Sequence, residues 1–544
     1  TLPWEVVLNH TNIWWTYYRQ LADYISRCCY MLRLGSPQKD IAVYSPLANQ
    51  WTLNVQNARK WTREFYWGEL GKLIAANGYN FDLINDDVLL NRAKLDDGNI
   101  KVGDMSYRIL ILPNIQAMPI ATLEKVQMYA QNGGVVIALE RIPDCSTGFV
   151  DGKNSDERAS AISRDLFTDP IGMDGTGQKH YGKGNTHFIK LVINRQDILD
   201  WRSSMLDPFV NTLRQYVAPD LAIDFAQEGL RENNGLSFVH RVMGDTDIYF
   251  VANIQDRLCR MPVTFRVRNK IPWMWNPYDG TRTRVWQYRT RNDGLELPVS
   301  LEPYASAFYV FQPGRDSIHV AYSGLSRIQA QKGGMVQLLV DHNGEKTLLV
   351  DAHHQLTELT ATVQNIPAPF NIDRFWHLIL EGKNTHKVDT LLNRLVSWTD
   401  IPAVQHFSGT GTYETSFTLP PHYMASDLEL ELDLGRVGNV AEVEINGNQV
   451  GTCWMRNQHL NITGGVKKGS NRLTINVTNT LINRVAAMNE PLPVPDELVP
   501  HYGSGTSSYS ATFRGSFGFK PLPASGLLGP VRIVASKRVN IPLK

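Results

Sequence analysis

Little in this sequence is present in excess, and what it lacks sets the first limits. The 544 residues include only 5 cysteines: Cys28 and Cys29 are adjacent, while Cys145, Cys259 and Cys453 stand alone. That spacing supplies neither a disulfide framework nor the C-x-x-C pairs of zinc and redox sites. Acidic and basic residues nearly cancel, 53 against 54, for a net charge of +1. With no basic block or acidic tail, neither nucleic acid nor a membrane surface is expected as a partner. The longest apolar runs, such as residues 109–113 and 135–139, fall far short of the ~20 residues that a membrane-spanning helix needs. Also missing are a G-x-G-x-x-G turn after a strand and a cysteine or serine in a G-x-C-x-G or G-x-S-x-G elbow. Their absence removes the marks of a dinucleotide site and of an amidotransferase.

What is present is ordinary globular material, 43 % hydrophobic and 20 % charged. At roughly 100–200 residues per domain, about three to five domains are expected. Residues 4–8 (WEVVL) read as a short buried strand, residues 9–13 as a loop, and residues 15–34 as an amphipathic helix. Tyr18, Leu21, Ile25, Cys28, Cys29 and Leu32 share one side of that helix, and Gly35 closes it. A single strand and helix cannot bury both faces of either element, so this pair reads as one unit of a larger α/β or barrel fold.

From Ile41 onward continuous apolar strands alternate with helices: IAVYSP, a helix over 58–77, YNFDLIN, SYRILILP, a helix over 123–132, and GGVVIALE. This is the pattern of a parallel sheet covered on both faces, a doubly wound α/β domain that ends with one more strand and helix over 193–217. After Ala218 strands and turns take over. SFVHRVM, DIYFVANI, VTFRVR and SAFYVFQP alternate apolar and polar residues, as in a β-sandwich. Residues 316–369 form a strand-rich linker segment with a hairpin-like VQLLVDHNGEKTLLV. From residue 370 on, YETSFTL, LELELDL, VAEVEIN, NRLTINVTN and PVRIVAS read as a jelly-roll sandwich.

Few residues invite chemistry. The glycines of DGTGQKHYGKGN (174–185) precede a strand instead of opening a helix, so they read as a loop and not a phosphate cradle. His353-His354 lacks a third ligand at a useful spacing and reads as a solvated pair. Trp454, in EINGNQVGTCWMRNQHLNIT, reads either as an aromatic platform for a pyranose ring or as filler of a core or domain junction.

Four stretches in the last region, FSGTGTYETSF (407–417), LDLGRVGNVAEVEINGNQVGTCW (432–454), KKGSNRLTINVTNTLINRV (467–485) and LPASGLLGPVRI (522–533), resemble the C-terminal sandwich of the α-L-rhamnosidases of glycoside hydrolase family 106. That sandwich is related to the sugar-binding-like domain of the β-galactosidase and β-glucuronidase family. The likeness continues upstream through VHRVMGDTDIYFVAN, WNPYDG, FDLINDDVL, YRILILP and WWTYYRQLADYISRCCYMLRLG. Their order, more than any one of them, makes the match specific.

The resemblance implies five parts. They are the last strand and helix of a catalytic (β/α) barrel at 1–35, a flavodoxin- or amidotransferase-like α/β domain at 36–217, a β-sandwich at 218–315, the linker segment at 316–369, and a galactose-binding-like jelly roll at 370–544. It further implies inverting hydrolysis of terminal α-L-rhamnosyl bonds by two carboxylates. The main barrel is expected before Thr1, on the same polypeptide or a companion chain, and the chain alone is expected to be inactive. Neither catalytic carboxylate maps onto this sequence, because Glu5 is the sole acid before the helix. No cofactor is expected within the chain; calcium is implied for the parent enzyme. Barrel sites lie at the C-terminal ends of strands, so Asn9, His10, Trp14 and Trp15 are the expected sugar-pocket residues, His10 by hydrogen bonding and Trp14 by stacking. Alternatively the tryptophans anchor the helix. A polysaccharide or glycoside substrate implies a periplasmic or secreted location. The alternative function is a non-catalytic carbohydrate-binding or scaffolding protein of the same lineage.

Overall fold

The computed structural model describes residues 12–53, 69–148, 152–170, 175–190, 207–223, 235–323, 327–332, 334–352, 355–372, 375–382, 387–454, 459–487 and 522–542. Strand is the predominant secondary structure, distributed over several sheets. The chain divides into two compact units, one of Thr1–Arg27, Glu302–Ala305 and Ser317–Lys544, the other of Cys28–Leu301 and Ser306–Asp316. It passes between them within the opening helix, Tyr18–Met31, which follows a short 3-10 turn at Trp15–Tyr17. Gly35 ends the exit turn at φ +59, where a Cβ would collide with the Val242 carbonyl. Only glycine fits both requirements.

The larger unit contains the parallel sheet. Its strand order is Phe81–Ile84, Ile41–Tyr44, Ile109–Pro113, Val135–Leu139, Gly184–Ile189 and Thr176–Tyr181; all neighbours are parallel except the last pair. Alternate residues build two separate cores. Ala42, Tyr44, Leu110, Leu112, Val136 and Ala138 meet Leu123, Val126 and Tyr129 of the helix Ile120–Gln131 and Ala159 and Leu166 of Gly152–Leu166. Ile41, Val43, Ile109, Ile111, Val135 and Ile137 meet Leu70, Leu73 and Ile74 of Glu69–Ala76 and Phe209 and Leu213 of Asp207–Tyr216. Coverage on both faces is why these strands read as unbroken apolar runs. The strand expected near Ile193 falls outside the described residues.

Two local readings need correction. SYRILILP is two strands: Met105–Tyr107 joins the antiparallel sheet of Lys94–Asp96 and Asn99–Val102, while Ile109–Pro113 joins the parallel one. The break is at Arg108, whose guanidinium donates to the Gly98 and Gly133 carbonyls at 2.7 and 2.8 Å. The glycines of 175–184 form a hairpin, Thr176–Tyr181 against Gly184–Ile189, not a loop ahead of one strand.

The same unit holds two antiparallel sheets. One runs Ser36–Pro37, Leu236–Met243, Thr246–Asn253, Ser306–Pro313, Lys270–Trp275, Arg282–Arg284, and the other Leu221–Ala222, Cys259–Phe265, Leu295–Leu301, Arg289–Thr290. Tyr249 and Phe311 of the first sheet close on Phe265 of the second, with ring centroids 5.0 and 5.1 Å apart. Such ring pairs add to plain area burial.

In the other unit, the expected hairpin VQLLVDHNGEKTLLV is not one. Met335–Val340 pairs with Arg327–Lys332 and Arg532–Pro542, whereas Gly344–Ala352 pairs with Ile318–Tyr322 and Gln355–Val363. The two strands belong to different sheets, and Val336, Leu338 and Val340 share a core with Leu348 and Val350. Facing layers bury both apolar stripes, which pairing edge to edge would leave on one open face. The strand Arg532–Pro542 continues past Phe370–Asn371 and Leu428–Asp433. Its sheet shares a second core with Val388–Leu392, Trp376–Leu380, Thr410–Thr418, Ser470–Thr478, Val440–Ile445 and Asn448–Cys453, built around Trp376, Trp398 and Tyr413.

Replacing the fully buried Leu338 by alanine leaves a cavity between two sheets, not at a hairpin edge. We expect a loss of about 2–5 kcal/mol in urea unfolding; a change below about 0.5 kcal/mol would contradict the layered arrangement.

Candidate functional site

Of the four expected pocket residues, Asn9 and His10 lie outside the described residues, as do Glu5 and the His353-His354 pair. Trp14 and Trp15 open the first helix. The Asn12 side chain accepts from the Trp14 amide at 3.2 Å, and the Trp15 amide donates to the Asn12 carbonyl at 3.0 Å. This short-range turn positions both indoles at the start of the helix. Trp14 is half-buried, whereas Trp15 is 41 % exposed and stacks on Tyr18 one turn later, centroids 5.0 Å apart and planes 11° from parallel. The stacked rings give an apolar surface open to solvent, of the type that packs against the C–H face of a sugar.

Other positions of the helix are tied down. The Tyr17 hydroxyl lies 3.5 Å from Thr478 Oγ1, and Tyr24 meets Trp454 edge-on at 5.8 Å. Trp454 is half-buried in this contact. Burial raises the Tyr17 phenol above its ordinary range.

The outer face of the terminal sandwich carries a polar cluster that the sequence reading missed. His377 Nε2 is 2.6 Å from Asp389 and its Nδ1 3.7 Å from Glu414, while Arg472 donates to Glu414 at 2.6 Å. The register sets Leu391 and Glu414 directly opposite His377 on neighbouring strands. Two large apolar groups stand beside them in solvent, Phe375 at 71 % and Leu391 at 74 % exposure. The Asp389 hydrogen bond holds His377 above its ordinary value, and the same bond lowers Asp389. Alternation along each strand places these residues on one face, but cross-strand pairing brings them together.

The parallel sheet offers a third location, the crevice at the carboxyl ends of its strands where open α/β sheets bind ligands. Here two polar side chains are engaged by the chain itself. Asn49, 2 % exposed, accepts from the Gln116 and Ala117 amides at 3.1 and 2.9 Å. Asp86 accepts from the Tyr44 and Thr122 hydroxyls at 2.8 and 2.6 Å. Burial pushes the nearby Cys145 thiol up to about 11, so it is no thiolate nucleophile at neutral pH. Among the described residues no group of three or more His, Cys, Asp or Glu side chains could hold a metal ion.

Comparison with known proteins adds three findings. The family model of glycoside hydrolase family 106, described as alpha-L-rhamnosidase, matches residues 2–290, more than half of the chain. The solved rhamnosidase of Novosphingobium sp. PP1Y superposes with a TM-score of 0.61 at 23 % identity, covering 98 % of this chain and 42 % of that one. A curated protein of Formosa agariphila, assigned by name as a beta-glucuronidase, is 32 % identical over 192 residues, which are 32 % of this chain and 16 % of that protein. The chain thus spans less than half the length of either relative.

Two predictions follow from the geometry. In a double-mutant cycle of Tyr24→Ala and Trp454→Ala, the edge-on ring contact should couple by about 0.5–1.5 kcal/mol in unfolding free energy; additive losses would place the two rings apart. Asn49→Ala removes the acceptor of two buried amides and should cost about 1–3 kcal/mol in thermal unfolding, whereas an unchanged transition would mean that the crevice is open to water.

Proposed function

Since the chain belongs to glycoside hydrolase family 106, the α-L-rhamnosidases, we propose that it is part of an enzyme cleaving terminal α-L-rhamnosyl bonds of polysaccharides or glycosides. The observation that carries the proposal is the family match over residues 2–290. In this reading residues 1–35 are the last strand and helix of a catalytic (β/α) barrel, and residues 370–544 are a galactose-binding-like jelly roll. The greater part of the barrel is carried outside this sequence, on the same polypeptide or a companion chain. The coverage of 42 % of the solved rhamnosidase is in keeping with that arrangement.

The chemistry is inverting hydrolysis. One carboxylic acid protonates the leaving oxygen while a second carboxylate activates water on the opposite face of the ring. Both are assigned to the barrel. This chain's own contribution is to line the sugar pocket with one or more of Asn9, His10, Trp14 and Trp15, His10 by hydrogen bonding and Trp14 by stacking. Calcium is implied for the parent enzyme, and no step of this reading passes through a metal. A polysaccharide substrate places the enzyme in the periplasm or outside the cell.

A second reading, a carbohydrate-binding assembly without turnover, draws on the polar outer face with His377, Asp389, Glu414 and Arg472 beside the exposed Phe375. An aryl α-L-rhamnoside separates the two readings. The longer polypeptide or reconstituted pair should release rhamnose of inverted anomeric configuration in proton NMR, and this chain alone should release none. Sugar binding without release from the complete assembly would favour the second reading.

In the complete enzyme Trp14→Ala should lower kcat/KM by about tenfold or more, the worth of one lost apolar ring contact. Unchanged kcat/KM with intact circular dichroism would assign Trp14 to helix anchoring.

A further inference from the structure

A charged cluster lies buried where the parallel sheet meets the antiparallel sandwich within the larger unit. At its centre is His240, on the strand Leu236–Met243 and 4 % exposed. Its Nδ1 is 2.9 and 3.1 Å from the two oxygens of Asp220, and its Nε2 is 3.0 Å from Asp247 Oδ1. The imidazole stacks on Tyr249 at 3.8 Å, and the Tyr249 hydroxyl donates to Asp220 at 2.8 Å. Arg266 spans Asp220 at 3.5 Å and Asp40 at 2.5 Å, and Lys270 pairs with Asp247.

The ends of this cluster belong to different layers. The Asp40 carbonyl accepts the Arg108 and Ile109 amides at the start of a parallel strand, and the Asp220 amide donates to the Gly78 carbonyl of the same layer. His240, Asp247, Tyr249 and Lys270 lie on strands of the sandwich.

Geometry dictates the protonation state. A neutral imidazole has one N–H and one lone pair, so in this position one nitrogen would turn a lone pair on a carboxylate oxygen about 3 Å away. Only the imidazolium donates from both. Charge leads to the same conclusion: Asp40, Asp220 and Asp247 against Arg266 and Lys270 leave one negative charge, which a protonated His240 cancels. An unbalanced buried charge is costly.

We propose that this cluster is a pH-dependent clasp that holds the parallel-sheet layer to the sandwich while His240 is protonated and loosens when it loses that proton. Burial by itself would lower the His240 pKa, but the carboxylates of Asp220 and Asp247 outweigh it and raise the value. Asp247, despite its own burial, is held below the usual carboxylate range by His240 and Lys270. A raised histidine pKa contributes stability that is complete below its unfolded value of about 6.5 and disappears as pH rises through the folded value. The Asp247 contribution is present above about 3.9 and disappears as pH falls through its folded value. The clasp is therefore complete between about pH 3.9 and about pH 6.5 and opens as pH rises through the raised His240 value.

The test uses the full chain labelled with carbon-13 at histidine Cε1. One of the 14 histidines should keep its imidazolium signal to higher pH than an unperturbed histidine, and His240→Gln should remove that signal. Asp247→Asn should move its midpoint to lower pH, an assignment that holds even if His240→Gln does not fold. Thermal or urea unfolding between pH 6 and 10 should show the wild-type folding equilibrium falling by up to about tenfold per pH unit across the window, with a shallower fall in His240→Gln. A His240 midpoint at or below the ordinary value of about 6.5, or equal slopes in wild type and His240→Gln, overturns the proposal.

Discussion

The larger unit depends on a continuous chain of charge, Lys270–Asp247–His240–Asp220–Arg266–Asp40, buried at its centre and partly exposed at its ends, that links two layers. A parallel sheet already covered by helices on both faces can meet a sandwich only along an edge, where strand ends and turns bring backbone polar groups. Backbone pairs such as the Asp220 amide with the Gly78 carbonyl satisfy part of that edge, and Arg266 donates to the Ala218 carbonyl at 3.1 Å. Buried ion sets of this kind add little net stability over an apolar replacement, but removing one member costs about 3–5 kcal/mol because its neighbours stay charged. The cluster thus favours one mutual placement of the layers over others more than it adds to stability.

The smaller unit achieves continuity through one long strand. Arg532–Pro542 pairs with Met335–Val340 on one stretch and with Leu428–Asp433 on another, so a single sheet contributes to two cores. Buried amides hold the ends of the terminal sandwich together: Asn479 donates to the Phe407 carbonyl at 2.8 Å, Asn483 to Ser525 Oγ at 2.9 Å, and the Ser525 amide to Ser397 Oγ at 3.0 Å. Each satisfies a buried backbone or hydroxyl group that would otherwise have lost water without replacement.

Functional potential is distributed unevenly over this scaffold. At the carboxyl end of the parallel sheet, where such folds bind ligands, Asn49 and Asp86 are engaged in internal hydrogen bonds, and the nearby Cys145 thiol is held protonated by burial. Open aromatic and polar surface occurs instead at Trp15 and Tyr18 and at the His377 cluster.

Periodicity alone revealed the opening helix, the apolar parallel strands and the alternating strands of both sandwiches, because burial on one or two faces imposes a repeat that any short window displays. The family likeness, too, was carried by local stretches in order. What no window displays is which strands lie side by side. Met335–Val340 and Gly344–Ala352 look like a hairpin until long-range pairing sends them to different sheets. Arg108 looks like an ordinary strand residue until its guanidinium finds two carbonyls from distant turns. His240 sits in an unremarkable alternating segment, and its partners Asp220, Asp247 and Arg266 become a cluster only after four separate segments converge. The sequence by itself determined the element types and the lineage, since these depend on side-chain pattern along the chain; the tertiary structure decided pairing, the partners of Asn49 and Asp86 and those of His240, since these depend on what folding brings within about 3 Å.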